Sequence, residues 1–163
     1  MRSRDGFTLI ELMITVLILG VLSVTAVPFY HVWLQRAYGT EAALMMKQIM
    51  EGQIGYYLAN DEFFPSPSES TVEVYQDGTE NPTGALSDIK EALHVVIPTG
   101  HHLDYWIMTH TTAKKEKWCF VSIDSSPPFE LFSNGDSYLC AMIDGQGNVQ
   151  YLDQSELAAK LAE

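Results

Sequence analysis

One carboxylate stands alone in the most apolar part of this chain. Glu11 lies in the run Gly6-Phe7-Thr8-Leu9-Ile10-Glu11-Leu12-Met13-Ile14, and the 24 residues from Leu12 to Gln35 contain no Asp, Glu, Lys or Arg. An acid at mid-bilayer costs about 2.5–3.5 kcal/mol by insertion scales; an interfacial position lowers that cost, as does protonation or a nearby cation. Its chemistry is therefore charge pairing. Cys119 and Cys140 could close a disulfide across about 20 residues, contributing roughly 3 kcal/mol on the loop-entropy view, or could remain two buried thiols. His94, His101, His102, Asp104 and His110 match no metal-ligand spacing and read as solvated loop histidines. Asp77–Asn81 and Asp144–Asn148 place oxygens at alternating positions, loosely as a calcium loop does, without the full twelve-residue pattern. No G-x-S-x-G nucleophile motif, phosphate loop or recognisable acid pair is present, so enzyme activity is not expected.

The elements that position these groups follow from composition. The 163 residues allow one compact domain and one long helix. As a helix, the uncharged run would span roughly 36 Å, enough for a hydrocarbon core of ~30 Å. Phe29, Tyr30 and Trp33 take over after Val27, as at a membrane interface, and Arg2 and Arg4 favour a cytoplasmic N-terminus. Tyr38, Ala42, Met45, Ile49, Gly52 and Tyr56 then form a stripe with alternating spacings of four and three, which predicts that the helix continues amphipathically to Asn60. Pro65 and Pro67 prevent it from going further.

Residues 61–103, rich in Pro, Ser, Gly and acids, read as a long connection with a short amphipathic piece at Leu86–Val96. Period-two patterning predicts strands at Tyr105–Thr111, Trp118–Ile123, Tyr138–Ile143 and Val149–Leu152, joined by hairpins at Thr112–Lys117 and Asp144–Asn148. Ser155 is expected to cap a last helix over 155–162. The fold class is α+β, a long helix on a small antiparallel sheet. The formal charge of −12 argues against nucleic acid as a partner, and Lys114, Lys115 and Lys117 read as a solvated turn.

The stretch from Gly6 to Ile14 resembles the prepilin signature of type IV pilins and type II secretion pseudopilins. That resemblance implies the type IV pilin fold and the boundaries 1–6 (leader), 7–35 (membrane and filament-core helix), 36–60 (its amphipathic half) and 61–163 (globular head, with the sheet at 104–153). It implies cleavage between Gly6 and Phe7 by prepilin peptidase, with N-methylation of Phe7; a cleft that admits extended backbone would need the glycine. It also implies that Glu11 registers an incoming subunit against a neighbour's N-terminal amine. Gly20 and Pro28 fall where pilins commonly carry Gly and Pro. A Cys119–Cys140 bridge is the staple that pilins often place in this region. The expected partners are other pilins in a homo- or heteropolymer, the peptidase, the inner-membrane assembly platform and the bilayer. No cofactor is expected, calcium staying open. The inner membrane is the site before assembly and a surface pilus the site after it.

Other readings compete. A secretory signal peptide would be cut after Val24-Thr25-Ala26, which leaves Glu11 unexplained. A plain membrane anchor leaves the whole Gly6–Leu12 run unexplained. Within the family, the alternatives to a pilus subunit are a type II secretion pseudopilin and a minor pilin acting as an adhesin or uptake tip through 61–103.

Overall fold

A computed structural model of the chain describes residues 6–76, 81–112, 115–125, 129–132, 134–153 and 156. Helix α1 runs from Leu9 to Asn60, 52 residues, with Pro28 inside it. The chain divides into two units, Met1–Gln35 and Arg36–Glu163.

In the first unit every residue from Gly6 to Val32 is exposed. The mean hydropathy of its most apolar stretch is 2.4, with none of that stretch buried. Its hydroxyls are turned onto the helix's own backbone: Thr15 Oγ1 donates to Leu12 O (2.8 Å), Ser23 Oγ to Leu19 O (2.8 Å) and Thr25 Oγ1 to Leu22 O (2.9 Å). This leaves few polar groups facing outward on an apolar surface.

In the second unit α1 becomes one-sided. Gly39, Ala42, Met45, Met46, Ile49, Met50 and Gln53 are buried, a helical-period stripe over four turns. The glycines in it serve close approach. A Cβ at Gly39 would collide with the carbonyl oxygen of Leu131, and one at Gly52 would lie 2.7 Å from the carbonyl oxygen of Leu93.

Five strands follow: β1 (Thr71–Val74), β2 (Leu103–Thr111), β3 (Lys117–Ser125), β4 (Tyr138–Asp144) and β5 (Val149–Leu152). They form an antiparallel sheet in chain order. A second helix, α2 (Ala85–Leu93), precedes β2 and ends where His94 turns left-handed at φ 57°. Tyr105 and Ile107 of β2, Cys119, Val121 and Ile123 of β3, and Ala141 and Ile143 of β4 share one buried cluster with the α1 stripe and with Ile89 and Leu93 of α2. The four strands and both hairpins expected from period-two patterning are present. Strand β1 was hidden in the acidic connection, and its Val72 and Val74 pair with Ile107 and Tyr105. The expected helix over 155–162 lies almost wholly outside the described residues. Ser155, the expected cap, lies outside them too; Asp153 and Glu156 bond reciprocally (3.1 and 2.8 Å), the pattern of a capping box.

Gln53, fully buried, ties the connection to α1. Its Nε2 donates to Phe64 O (2.6 Å) and its Oε1 accepts from Phe64 N (3.0 Å), so one amide satisfies both backbone groups of Phe64. Replacing it with an apolar side chain leaves two buried backbone groups without partners, each costing ~1–3 kcal/mol. Gln53→Leu should therefore lower stability by about 2–4 kcal/mol, with hydrogen exchange rising first over residues 61–70.

The opposite face of the sheet carries an unfavourable pairing. Asp104 and Asp124 stand directly across β2 and β3. Partial burial pushes the Asp124 carboxyl up, the Ser122 hydroxyl (3.0 Å) pulls it down, and the Asp104 charge pushes it up again. Because its folded value is raised, the folded state is penalised above the unfolded value of about 3.9 and relieved below it. Asp124→Asn should raise the melting temperature at pH 7, and the gain should disappear by about pH 3. Thermal unfolding of the full chain in detergent at both pH values checks this.

Candidate assembly site at the helix N-terminus

Thr8 builds the start of α1. Its carbonyl oxygen accepts from Leu12 N (3.3 Å) and its Oγ1 accepts from Glu11 N (3.3 Å). In return, Thr8 N and Thr8 Oγ1 donate to Glu11 Oε2 (2.8 and 2.7 Å). This Thr-x-x-Glu exchange is a capping box, worth about 1 kcal/mol for the cap. The pattern Thr8-Leu9-Ile10-Glu11 carries the signal for it, although Thr8 was not singled out from the sequence.

The capping box changes the electrostatic picture of Glu11. An isolated carboxylate on an apolar helix becomes one held in a fixed orientation beside the positive end of the helix dipole. Both Thr8 donors converge on Oε2. Among the described residues, no donor reaches Oε1. Gly6, Phe7 and Thr8 precede the helix in non-helical backbone, and Phe7 is 80% exposed. The Gly6–Phe7 bond is thus in an exposed segment ahead of the helix, while Glu11 lies in the first turn of α1. Among the described residues, Gly20 has nothing within 4 Å of where its Cβ would be. Pro28 sits within α1 without ending it.

The cysteines contradict the expected disulfide. Cys119 pairs with Ile143 and Cys140 pairs with Ser122. The two are three positions apart in register, an odd offset that sends their side chains to opposite faces of the sheet, about 10 Å apart along the strands. A bridge needs Cα atoms within ~7 Å and converging Cβ vectors. Both thiols are free and buried. The Cys119 thiol faces Phe64 O (3.8 Å), the Cys140 thiol faces Ser122 Oγ (3.2 Å), and burial pushes both up.

The histidines are dispersed. His101 is buried, with Nδ1 2.8 Å from Leu103 O and its ring edge-on to Tyr105; His102 meets Tyr38, and His94 caps α2. Among the described residues no three His, Cys, Asp or Glu side chains are grouped to share a metal ion. Asp144 spends its oxygens on its own turn: Oδ1 accepts from Gln146 N and Asn148 N (2.9 Å each) and Oδ2 from Asn148 Nδ2 (2.9 Å). Most of the other loop, Asp77–Asn81, lies outside the described residues.

Comparison with known proteins places the similarity at the same end of the chain. The prokaryotic N-terminal methylation motif matches residues 1–27. A fimbrial protein of Neisseria meningitidis serogroup A is 41% identical over 68 residues, 42% of this chain and 38% of the relative. A fimbrial protein of Neisseria meningitidis serogroup B is 41% identical over 60 residues, 37% of this chain and 35% of the relative. The type IV major pilin protein PilE of Neisseria gonorrhoeae is 40% identical over 67 residues, 41% of this chain and 40% of the relative. The matched stretch thus spans about two-fifths of the length of these relatives. No solved structure matches the chain. With a long apolar helix, an antiparallel five-stranded sheet and the methylation motif at its start, this chain has an α+β, type IV pilin-like architecture and is similar to type IV pilins over about two-fifths of its length.

Proposed function

We propose that the chain is a structural, non-enzymatic subunit of a type IV pilus. The observation that carries this reading is the first half of α1: an exposed apolar surface headed by one carboxylate held in a capping box. The relatives' names, fimbrial protein and type IV major pilin, support the same reading. As a precursor the chain would wait in the inner membrane with its N-terminus cytoplasmic. Prepilin peptidase would hydrolyse the Gly6–Phe7 bond, leaving the leader's Gly6 carboxylate and a new amine on Phe7. N-methylation keeps that amine basic and cationic. Removing Met1–Gly6 leaves seven basic against 20 acidic residues.

In the filament, the Phe7 ammonium of one subunit would approach Glu11 of a neighbour. Thr8 positions the carboxylate, occupying Oε2 and leaving Oε1 for the incoming cation. The apolar helices exchange lipid for one another, and the ion pair sets their axial register. The assembly platform and peptidase are partners in this scheme, and the acidic head faces outward.

Two measurements test it. Intact mass and N-terminal sequencing of protein from sheared surface filaments should find a methylated Phe7 terminus. The same terminus confined to membranes would indicate a pseudopilin or scarce minor subunit, and a terminus at Val27 would remove the pilin reading. Glu11→Gln should leave cleavage intact while reducing filament yield on the order of tenfold for each ~1.4 kcal/mol of lost pairing. Normal filament yield from this variant would remove the registering role.

A further inference from the structure

The last turns of α1 have two flanks that differ in shape and in charge. Gly55 and Ala59 are each two positions from Tyr57, roughly 200° round the helix at ~100° per residue. They therefore stand on the side opposite Tyr57 at the same height, with the buried positions Ile49 and Gln53 between them on the core side. On the Gly55 side a groove of about 640 Å³ opens between α1 and the end of α2. Gly55, Tyr56 and Ala59 line it together with Leu93, and the exposed Glu51 and Glu91 contribute one carboxylate from each helix. Gly52 has to be bare because Leu93 backbone approaches it, whereas among the described residues nothing lies within 4 Å of a Cβ at Gly55. Gly55 costs a helix up to about 1 kcal/mol relative to Ala, and its effect here is to keep the groove open. Glu51 also faces Lys47 at 3.8 Å, an exposed pair on the same helix that contributes little.

The Tyr57 side is met by the end of the β2–β3 turn. Lys117 Nζ lies 6.0 Å from the centre of the Tyr57 ring and donates to Asp61 O, so this cation is engaged within its own head. Lys115, two residues earlier, is exposed and stands beside the same flank with Tyr57 and Asp61. Without Met1–Gly6, each copy carries seven basic against 20 acidic residues. Two such heads repel unless their contact brings a cation of one to carboxylates of the other. Copies standing side by side with their α1 helices parallel present opposite flanks to each other. The Lys115 flank of one then faces the Glu91 groove of the next. Because the two surfaces differ, the contact is heterologous and repeats from copy to copy instead of closing into a pair.

We propose that the groove between α1 and α2 receives Lys115 of a second copy. Its ammonium meets Glu91 and Glu51, and its alkyl stem lies along Gly55 and Ala59. This inference rests on the pilus reading and adds to it a lateral contact between heads, separate from the pairing at Glu11.

Charge exchange tests it in sheared surface filaments, with melting of the detergent-solubilised full chain and Phe7 processing in membranes as checks on folding. Glu91→Lys and Lys115→Glu should each lower filament yield roughly tenfold or more, and the two combined should return it to within about threefold of the unaltered chain. Ala59→Cys together with Lys115→Cys should give an oxidised ladder of copies in filaments, which neither single variant gives. The contact is overturned if the single reversals leave yield unchanged, or if the combined variant is no better than the poorer single one. Where a reversal fails to fold, the cysteine pair decides, and filaments without a ladder overturn the contact as well. An unaltered chain that makes no filaments removes the pilus reading itself, a result distinct from filaments that are indifferent to the reversals.

Discussion

The first half of α1 carries an apolar surface that stands exposed along its length. Side chains from Phe7 to Trp33 stand exposed in the single molecule, and each large apolar group left in water forgoes ~1.5–3 kcal/mol. Summed over this segment the deficit reaches tens of kcal/mol, more than the ~5–15 kcal/mol net stability of an ordinary domain. A bilayer or a bundle of like helices would supply that cover. Both are apolar, so transfer between them is close to neutral in hydrophobic terms and is decided by packing and by the few polar groups present. The hydroxyls of Thr15, Ser23 and Thr25 are already bonded to backbone. Glu11 is the one Asp, Glu, Lys or Arg between Phe7 and Gln35, so it is the formal charge whose cost depends on the surroundings.

The same helix obeys a different constraint beyond Arg36, where it is the spine of a conventional core. Its apolar stripe and its glycines let backbone from elsewhere approach closely at Leu93 and Leu131. Gln53 shows how such a core admits a long connection: a polar side chain is buried because it satisfies both backbone groups of Phe64. Lys117 makes a second tie at the surface, donating to Asp61 O and lying 3.2 Å from Asp61 Oδ2. With Asp61 exposed and Lys117 only partly covered, this pair contributes little by charge alone.

Much of this was legible in the sequence because it is periodic. The uncharged run, the stripe from Tyr38 to Tyr56 and the alternating strands each extend over several turns or pairs. The features that were not legible depend on register or on single partners. Thr71-Val72-Glu73-Val74 is only four residues in an acidic, Pro-rich setting, and becomes a strand because β2 offers it a free edge. The cysteines lie on neighbouring strands at a plausible spacing, but whether they meet depends on a parity that composition does not encode. Gln53 looked like one of many surface amides until Phe64 was placed beside it. At the N-terminus, processing and registration were read from Gly6, Phe7 and Glu11, whereas the role of Thr8 emerged from its hydrogen bonds.

The strand order has a kinetic consequence. Each strand pairs with the one before it, so the sheet can grow by successive hairpin closures. The β2–β3 and β4–β5 turns are short, the β3–β4 connection (126–137) is longer, and the β1–β2 connection, which contains α2, is the longest. Loop-closure entropy is therefore modest at most steps, and the contacts are local for a β-rich domain. With the two thiols on opposite faces, no step waits on an oxidant. The sheet can therefore be completed strand by strand in chain order.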